Sequence, residues 1–142
     1  SWKYVLEKKS LSTHENLLYT KELLMKRGTR KAEVTIFCEV TRERRINYIA
    51  KRMFPKAIST TVVPIDFDLS PNRYLETEVI QKKEELALQM SRELFKHPKR
   101  ISELRALMKE KLRLLRGYGP KRHAEAIEAW WRLNLEREKK GR

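Results

Sequence analysis

Ala32-Glu33-Val34-Thr35-Ile36-Phe37-Cys38-Glu39-Val40 alternates Val34, Ile36 and Cys38 with Glu33, Thr35 and Phe37. Period two in a run of β-branched and aromatic residues predicts a strand from Ala32 to Val40. Thr61, Val62, Val63, Ile65 and Phe67 mark a second strand, Thr60 to Asp68. Between them Ile46, Ile49, Ala50 and Met53 recur at helical spacing, which predicts a helix from Thr41 to about Phe54, closed by Pro55. Two strands joined through a helix lie parallel, with a right-handed crossover that packs the helix on one sheet face. Pro64 cannot donate a ladder hydrogen bond, so the second strand is an edge or carries a bulge. Two strands alone leave sheet edges open, and further strands are expected from the N-terminal arm or from another subunit.

Outward from this unit the chain reads as helix. Ser12-Thr13-His14-Glu15 is a capping-box pattern, opening a helix that runs to Gly28 with Leu17, Leu18, Leu24 and Met25 as its apolar stripe. Residues before Leu11 form an arm. Ser70-Pro71 reads as a cap followed by proline at the first helical position, and Leu75, Val79, Leu86, Met90, Leu94 and Phe95 carry that helix to His97, where Pro98 breaks it. Ile101, Leu104, Leu107, Met108, Leu112 and Leu115 stripe the next helix. Gly117-Tyr118-Gly119-Pro120 is a turn by composition, and a last helix from about Lys121 carries Ile127, Trp130, Trp131, Leu133 and Leu135. The expected fold class is α+β, a small βαβ core with a long helical C-terminal extension. The chain divides into an arm and helix (1–30), the strand-helix-strand core (31–70) and a basic helical extension (71–142).

The charge bounds the partner. Lysine and arginine number 33 against 19 acidic residues, a formal charge of +14, in a chain whose 40% hydrophobic content is too high for a disordered tail. Self-repulsion of that size is offset by a polyanion, by default a nucleic acid and secondarily an anionic membrane. From Thr41 to Lys56 six basic residues face only Glu43, so ion pairing within the helix leaves an excess. The segment from Pro98 onward carries 14 basic and 6 acidic residues. Candidate phosphate contacts are therefore Arg42, Arg44, Arg45, Lys51 and Arg52 on the central helix, with Lys99, Arg100, Arg113, Arg116, Lys121 and Arg122 in the C-terminal part. Solvated helix surface is the competing reading of each run.

Trp2 and Tyr4 in the arm, with Trp130 and Trp131, are candidate protein contacts. Neighbours on a helix are about 100° apart, so one tryptophan enters the core and the other points outward. An outward ring serves as an anchor on another protein or as a stacking platform.

The sequence offers little for catalysis. Cys38 is the single cysteine, which excludes an intrachain disulfide and a multi-cysteine zinc site. Activating its thiol requires a cationic partner that the sequence does not place. Asp66 and Asp68 have a spacing that can hold a hard cation, but no third carboxylate precedes Glu76 and no glycine-rich phosphate loop accompanies them, so they read as solvent-side carboxylates. His14, His97 and His123 form no recognisable ligand set. The expectation is a non-enzyme with no cofactor, no metal site and no small-molecule substrate. No run reaches the roughly 18 apolar residues of a membrane span. The chain opens at Ser1 rather than methionine, which is compatible with a leader ahead of it.

Val34-Thr35-Ile36-Phe37-Cys38-Glu39-Val40, followed directly by a helix and a second strand, resembles the family of small thioredoxin-like proteins numbered fifty-three in the mitochondrial large ribosomal subunit. The resemblance covers Lys31 to Leu69. It implies a thioredoxin-like fragment, a mitochondrial matrix location and an architectural role without catalysis, held by ribosomal RNA and neighbouring ribosomal proteins. After Leu69 the chain departs from the family, with helices in place of a second hairpin, which reads as a C-terminal extension. The expected function is thus a structural, rRNA-binding component of a ribosome. A DNA-binding protein and a helical subunit of another organellar complex are the alternatives.

Overall fold

The alternation that begins at Ala32 is realised as a strand, β1 (Ala32–Glu39), which runs parallel to β2 (Ile58–Ile65) from Ala32 opposite Ile58 to Glu39 opposite Ile65. This is a computed structural model, and it describes residues 5–10, 12–66, 77–96, 103–119 and 122–140. A single 3-10 turn (Val40–Arg42) leads from β1 into a helix. Before β1 lies α1 (Thr13–Lys26), and the crossover helix is α2 (Glu43–Met53). Three helices follow: α3 (Thr77–Lys96), α4 (Leu104–Tyr118) and α5 (His123–Lys140). The class is α+β, and among the described residues the sheet has two strands.

Local chemistry sets the boundaries. The Glu15 amide donates to the Ser12 hydroxyl oxygen at 3.2 Å, so serine caps α1. Gly28 ends the helix in the left-handed region at φ +73, where an L side chain is strained, while the amides of Gly28 and Thr29 donate to the Met25 and Leu24 carbonyls. At the start of α2 the Glu39 carboxylate accepts from the Thr41 amide at 3.0 Å and from its hydroxyl. β2 starts two residues earlier than the sequence suggests, because the turn after Pro55 closes at once: the Ile58 amide donates to the Pro55 carbonyl at 2.8 Å. Pro64 sits inside β2 opposite Cys38, tolerated because β2 pairs on one edge only among the described residues. Gly117 and Tyr118 belong to α4 rather than to a turn, and the reversal falls on Gly119 at φ +72. The predicted cap at Ser70-Pro71 and the break at Pro98 lie outside the described residues.

The core lies on one side of the sheet. Leu17 of α1, Ile49, Ala50, Met53 and Phe54 of and just after α2, and Ile58 of β2 are buried together, with Ala32, Val34 and Ile36 packed from β1 and Phe95 from α3. Ile49 and Ala50 have no solvent exposure. Met25, expected on the α1 stripe, is exposed, since the buried side of α1 turns toward His14, Glu15 and Leu17. α3 packs on α2, and α5 packs on both α3 and α4. The opposite sheet face carries Glu33, Thr35 and Phe37, all exposed, with Phe37 66% accessible. No helix among the described residues is long and apolar enough to cross a membrane.

Candidate nucleic-acid interface

The basic residues of α2 separate by helical phase. Ile46, Ile49, Ala50 and Met53 are buried, and so is Arg45, which lies four and eight residues before Ile49 and Met53. The expectation that Arg45 meets an external phosphate is therefore corrected. Its Nε and Nη2 donate to the two carboxylate oxygens of Glu84 on α3 at 2.6 and 3.1 Å, with both side chains at most 10% exposed. A buried guanidinium needs a carboxylate in this fork geometry.

Arg44, Lys51 and Arg52 are exposed, and with Tyr48 they follow the i, i+4, i+7, i+8 spacing of a single helix face. Arg44 and Lys51 are two turns apart, about 10 Å along the axis. Arg52 lies over the Tyr48 ring at 3.7 Å, and that ring meets Phe95 edge-on with centroids 6.1 Å apart, which fixes the guanidinium while leaving it open to solvent. Arg42, the residue before α2, is about half exposed and only loosely paired with Glu84 at 3.9 Å. Among the described residues no carboxylate lies within ion-pair distance of Arg44, Lys51 or Arg52.

A second such stripe is on α4. Lys109, Arg113 and Arg116 share i, i+4, i+7 spacing, are exposed, and have no ion-pair partner among the described residues. α5 is different. Arg132 pairs with Glu128 at 3.0 Å, and Arg137 reaches Glu110 of α4 at 2.9 Å. Lys82 of α3 also meets Glu128 at 3.0 Å. Arg122, an expected phosphate contact, pairs with Glu125 at 2.6 Å and stacks over Tyr118. Lys99, Arg100 and Lys121 lie outside the described residues, as do Trp2 and Tyr4.

Trp130 is 1% exposed, so it is a core residue of α5 and not a contact for another protein. Lys111 of α4 lies over its ring at 5.2 Å. Trp131 belongs to the same helix.

Glu84 is the carboxylate at the centre of a cationic cluster that the sequence did not disclose. Besides Arg45 it meets Lys83 Nζ at 3.3 Å. Burial raises its carboxyl, but hydrogen bonds and charge from Arg45, supported by Lys83, more than reverse this and hold it below the usual carboxylate range. Burial, reinforced by the charges of Lys83 and Arg45, pushes Lys111 down to about 8. His14 is buried beside Phe95, and desolvation with the Arg45 charge pushes its imidazole down to about 4. The available signal was phase: Ile80, Glu84, Ala87, Leu88 and Ser91 form one buried stripe of α3, with Glu84 in its middle.

Burial, with Glu43 and Glu39 nearby, pushes the Cys38 thiol up, opposite to an activated thiolate. Asp66 is exposed, and Asp68 lies outside the described residues. Among the described residues no three His, Cys, Asp or Glu side chains group as metal ligands. The chain matches no family model, no curated protein and no solved structure.

Proposed function

We propose that this protein is a structural RNA-binding component of a ribosome, in the mitochondrial large subunit, that grips RNA phosphates through the outer faces of α2 and α4. The observation that carries the RNA reading is the uncompensated stripe Arg44, Lys51 and Arg52, which has no carboxylate partner among the described residues although Arg45, in the same helix, is fully engaged by Glu84. Charges left open in this way on a +14 chain attract a polyanion, and each phosphate they neutralise releases condensed counterions. Tyr48 is covered by Arg52, so contacts to phosphate outweigh base stacking, and affinity is largely independent of sequence. The ribosomal and mitochondrial parts of the reading are supported by the resemblance of Val34 to Val40, with the helix and strand that follow.

Binding to a structured RNA measured across a salt series tests the interface. Changing Arg44, Lys51 and Arg52 together to glutamine flattens the logarithmic salt slope by roughly two units, at about 0.7 to 0.9 per phosphate lost. The same change at Lys109, Arg113 and Arg116 gives a separate loss. Parental affinity and slope in both variants refute the interface. Sedimentation of the endogenous protein with and without ribonuclease tests the ribosomal part: release from a large particle on digestion supports it, and free sedimentation before digestion overturns it.

A further inference from the structure

Parallel sheets ordinarily have neighbours on their faces and edges, because a strand edge is a row of unpaired amides and carbonyls. β1 is hydrogen-bonded to β2 along one edge. Alternate residues of a parallel strand direct their backbone groups to one neighbour and the intervening residues direct theirs to the other side. Among the described residues no backbone group outside β2 pairs with β1, so its second row is open.

A groove of about 350 Å³ lies along the C-terminal half of this edge. Ile36, Phe37, Cys38 and Glu39 line one wall. Successive side chains of a strand point to opposite faces, so four consecutive lining residues mean that the groove follows the edge rather than a face. Ser10, Ser12, Thr13 and Asn16, at the start of α1, form the other wall with hydroxyl and amide groups. Leu17 and Ile46 add apolar surface, and half-exposed Arg42 also reaches the groove. Pro64 blunts β2, whereas Ala32–Glu39 contains no proline or lysine to discourage pairing.

We propose that the free edge of β1 is a docking site for an extended segment of another protein, which adds a strand to the sheet and sets a carboxylate on Arg42. The spacing of open amides and carbonyls recognises a polypeptide backbone, which a nucleic acid lacks. The apolar surface and hydroxyl wall suit alternating apolar and small polar side chains. A second copy of the chain is the wrong occupant: each carries +14, and two such chains repel. A docked strand also extends the sheet beside the exposed Phe37 ring.

The probe is a blocked peptide as long as β1, of alternating valine and threonine with glutamate at both ends, so that either strand direction brings a carboxylate to Arg42. Saturable binding is expected, with hydrogen exchange slowed at alternate amides of Ala32–Glu39. N-methylating alternate residues on one edge of the peptide abolishes binding, and the same change on its other edge leaves it intact. Arg42→Gln weakens binding about two- to five-fold, as for an exposed ion pair. The proposal is overturned if the peptide fails to bind, if both N-methylated forms bind alike, or if protection falls on β2. It is equally overturned if the free chain sedimentates as a dimer with those amides already protected, which assigns the edge to a second copy, or if an RNA oligomer protects them.

Discussion

Removing Glu84 is expected to cost far more than removing its partner. In Glu84→Gln the Arg45 guanidinium, 10% exposed, loses both charge-assisted hydrogen bonds, and Lys83 and Arg42 remain beside it with no counter-charge. Stranding one member of a buried pair costs about 3 to 5 kcal/mol. In Arg45→Met the Glu84 carboxylate keeps Lys83 at 3.3 Å and Arg42 at 3.9 Å, and the apolar methionine stem fills the helix interface. That loss is expected at about 1 to 3 kcal/mol. The double variant Arg45→Met with Glu84→Leu removes the pair as a unit and is more stable than Glu84→Gln alone, the pattern expected of buried pairs replaced by apolar volume. Urea unfolding followed by circular dichroism at neutral pH reads all four proteins. Equal costs for the two single variants, or a Glu84→Gln loss below about 1 kcal/mol, refute the view that one carboxylate neutralises this cluster.

Three further outcomes are expected. His14 is held near pKa 4 in the fold and titrates near 6.5 when unfolded, so the unfolded chain binds the extra proton; stability falls by up to about 3 kcal/mol as pH drops from 6.5 to 4, and His14→Phe removes that dependence in urea titrations run across the range. Lys111, at about 8 against 10.5, binds its proton less readily in the fold, so stability rises with pH between those values; Lys111→Met flattens the rise and adds about 1 to 2 kcal/mol at pH 7, measured in the same way. Phe37→Thr leaves the stability of the free monomer within about 0.5 kcal/mol, whereas Ile49→Ala, at a site with no exposure, costs about 2 to 5 kcal/mol in thermal or urea unfolding.

The βαβ unit was legible because two periods switch cleanly in this sequence, from two at Val34-Ile36-Cys38 to helical at Ile46-Ile49-Met53 and back. Gly28 and Ser12 carried the ends of α1 for the same reason: each meets a backbone demand that few residues satisfy. At Arg45 phase outranks charge: its spacing from Ile49 and Met53 places it inward. Its partner comes from α3, 39 residues further along the chain, and pairing at that distance leaves no local pattern. Trp130 and Trp131 are adjacent, and sequence alone cannot say which of two neighbours faces the core. The pairing of Arg137 on α5, in contrast to the open stripe of α2, rests likewise on a contact between helices, with Glu110.

Cys38 gives the protein an internal clock. It is the chain's single thiol, it is 8% exposed, and it lies on β1 where the edge groove meets the core, so a thiol reagent reaches it slowly in the closed protein and faster when that region opens. Labelling kinetics in the native protein therefore time the opening of β1 without any engineered reporter. With fast reclosing, the labelling rate divided by that of an unfolded peptide sets an upper bound on the opening equilibrium. A variant that loosens the α1 wall, such as Ser12→Ala, quickens labelling, while one confined to the far end of α5 leaves it unchanged. A rate insensitive to Ser12→Ala shows that the strand opens independently of the helix beside it.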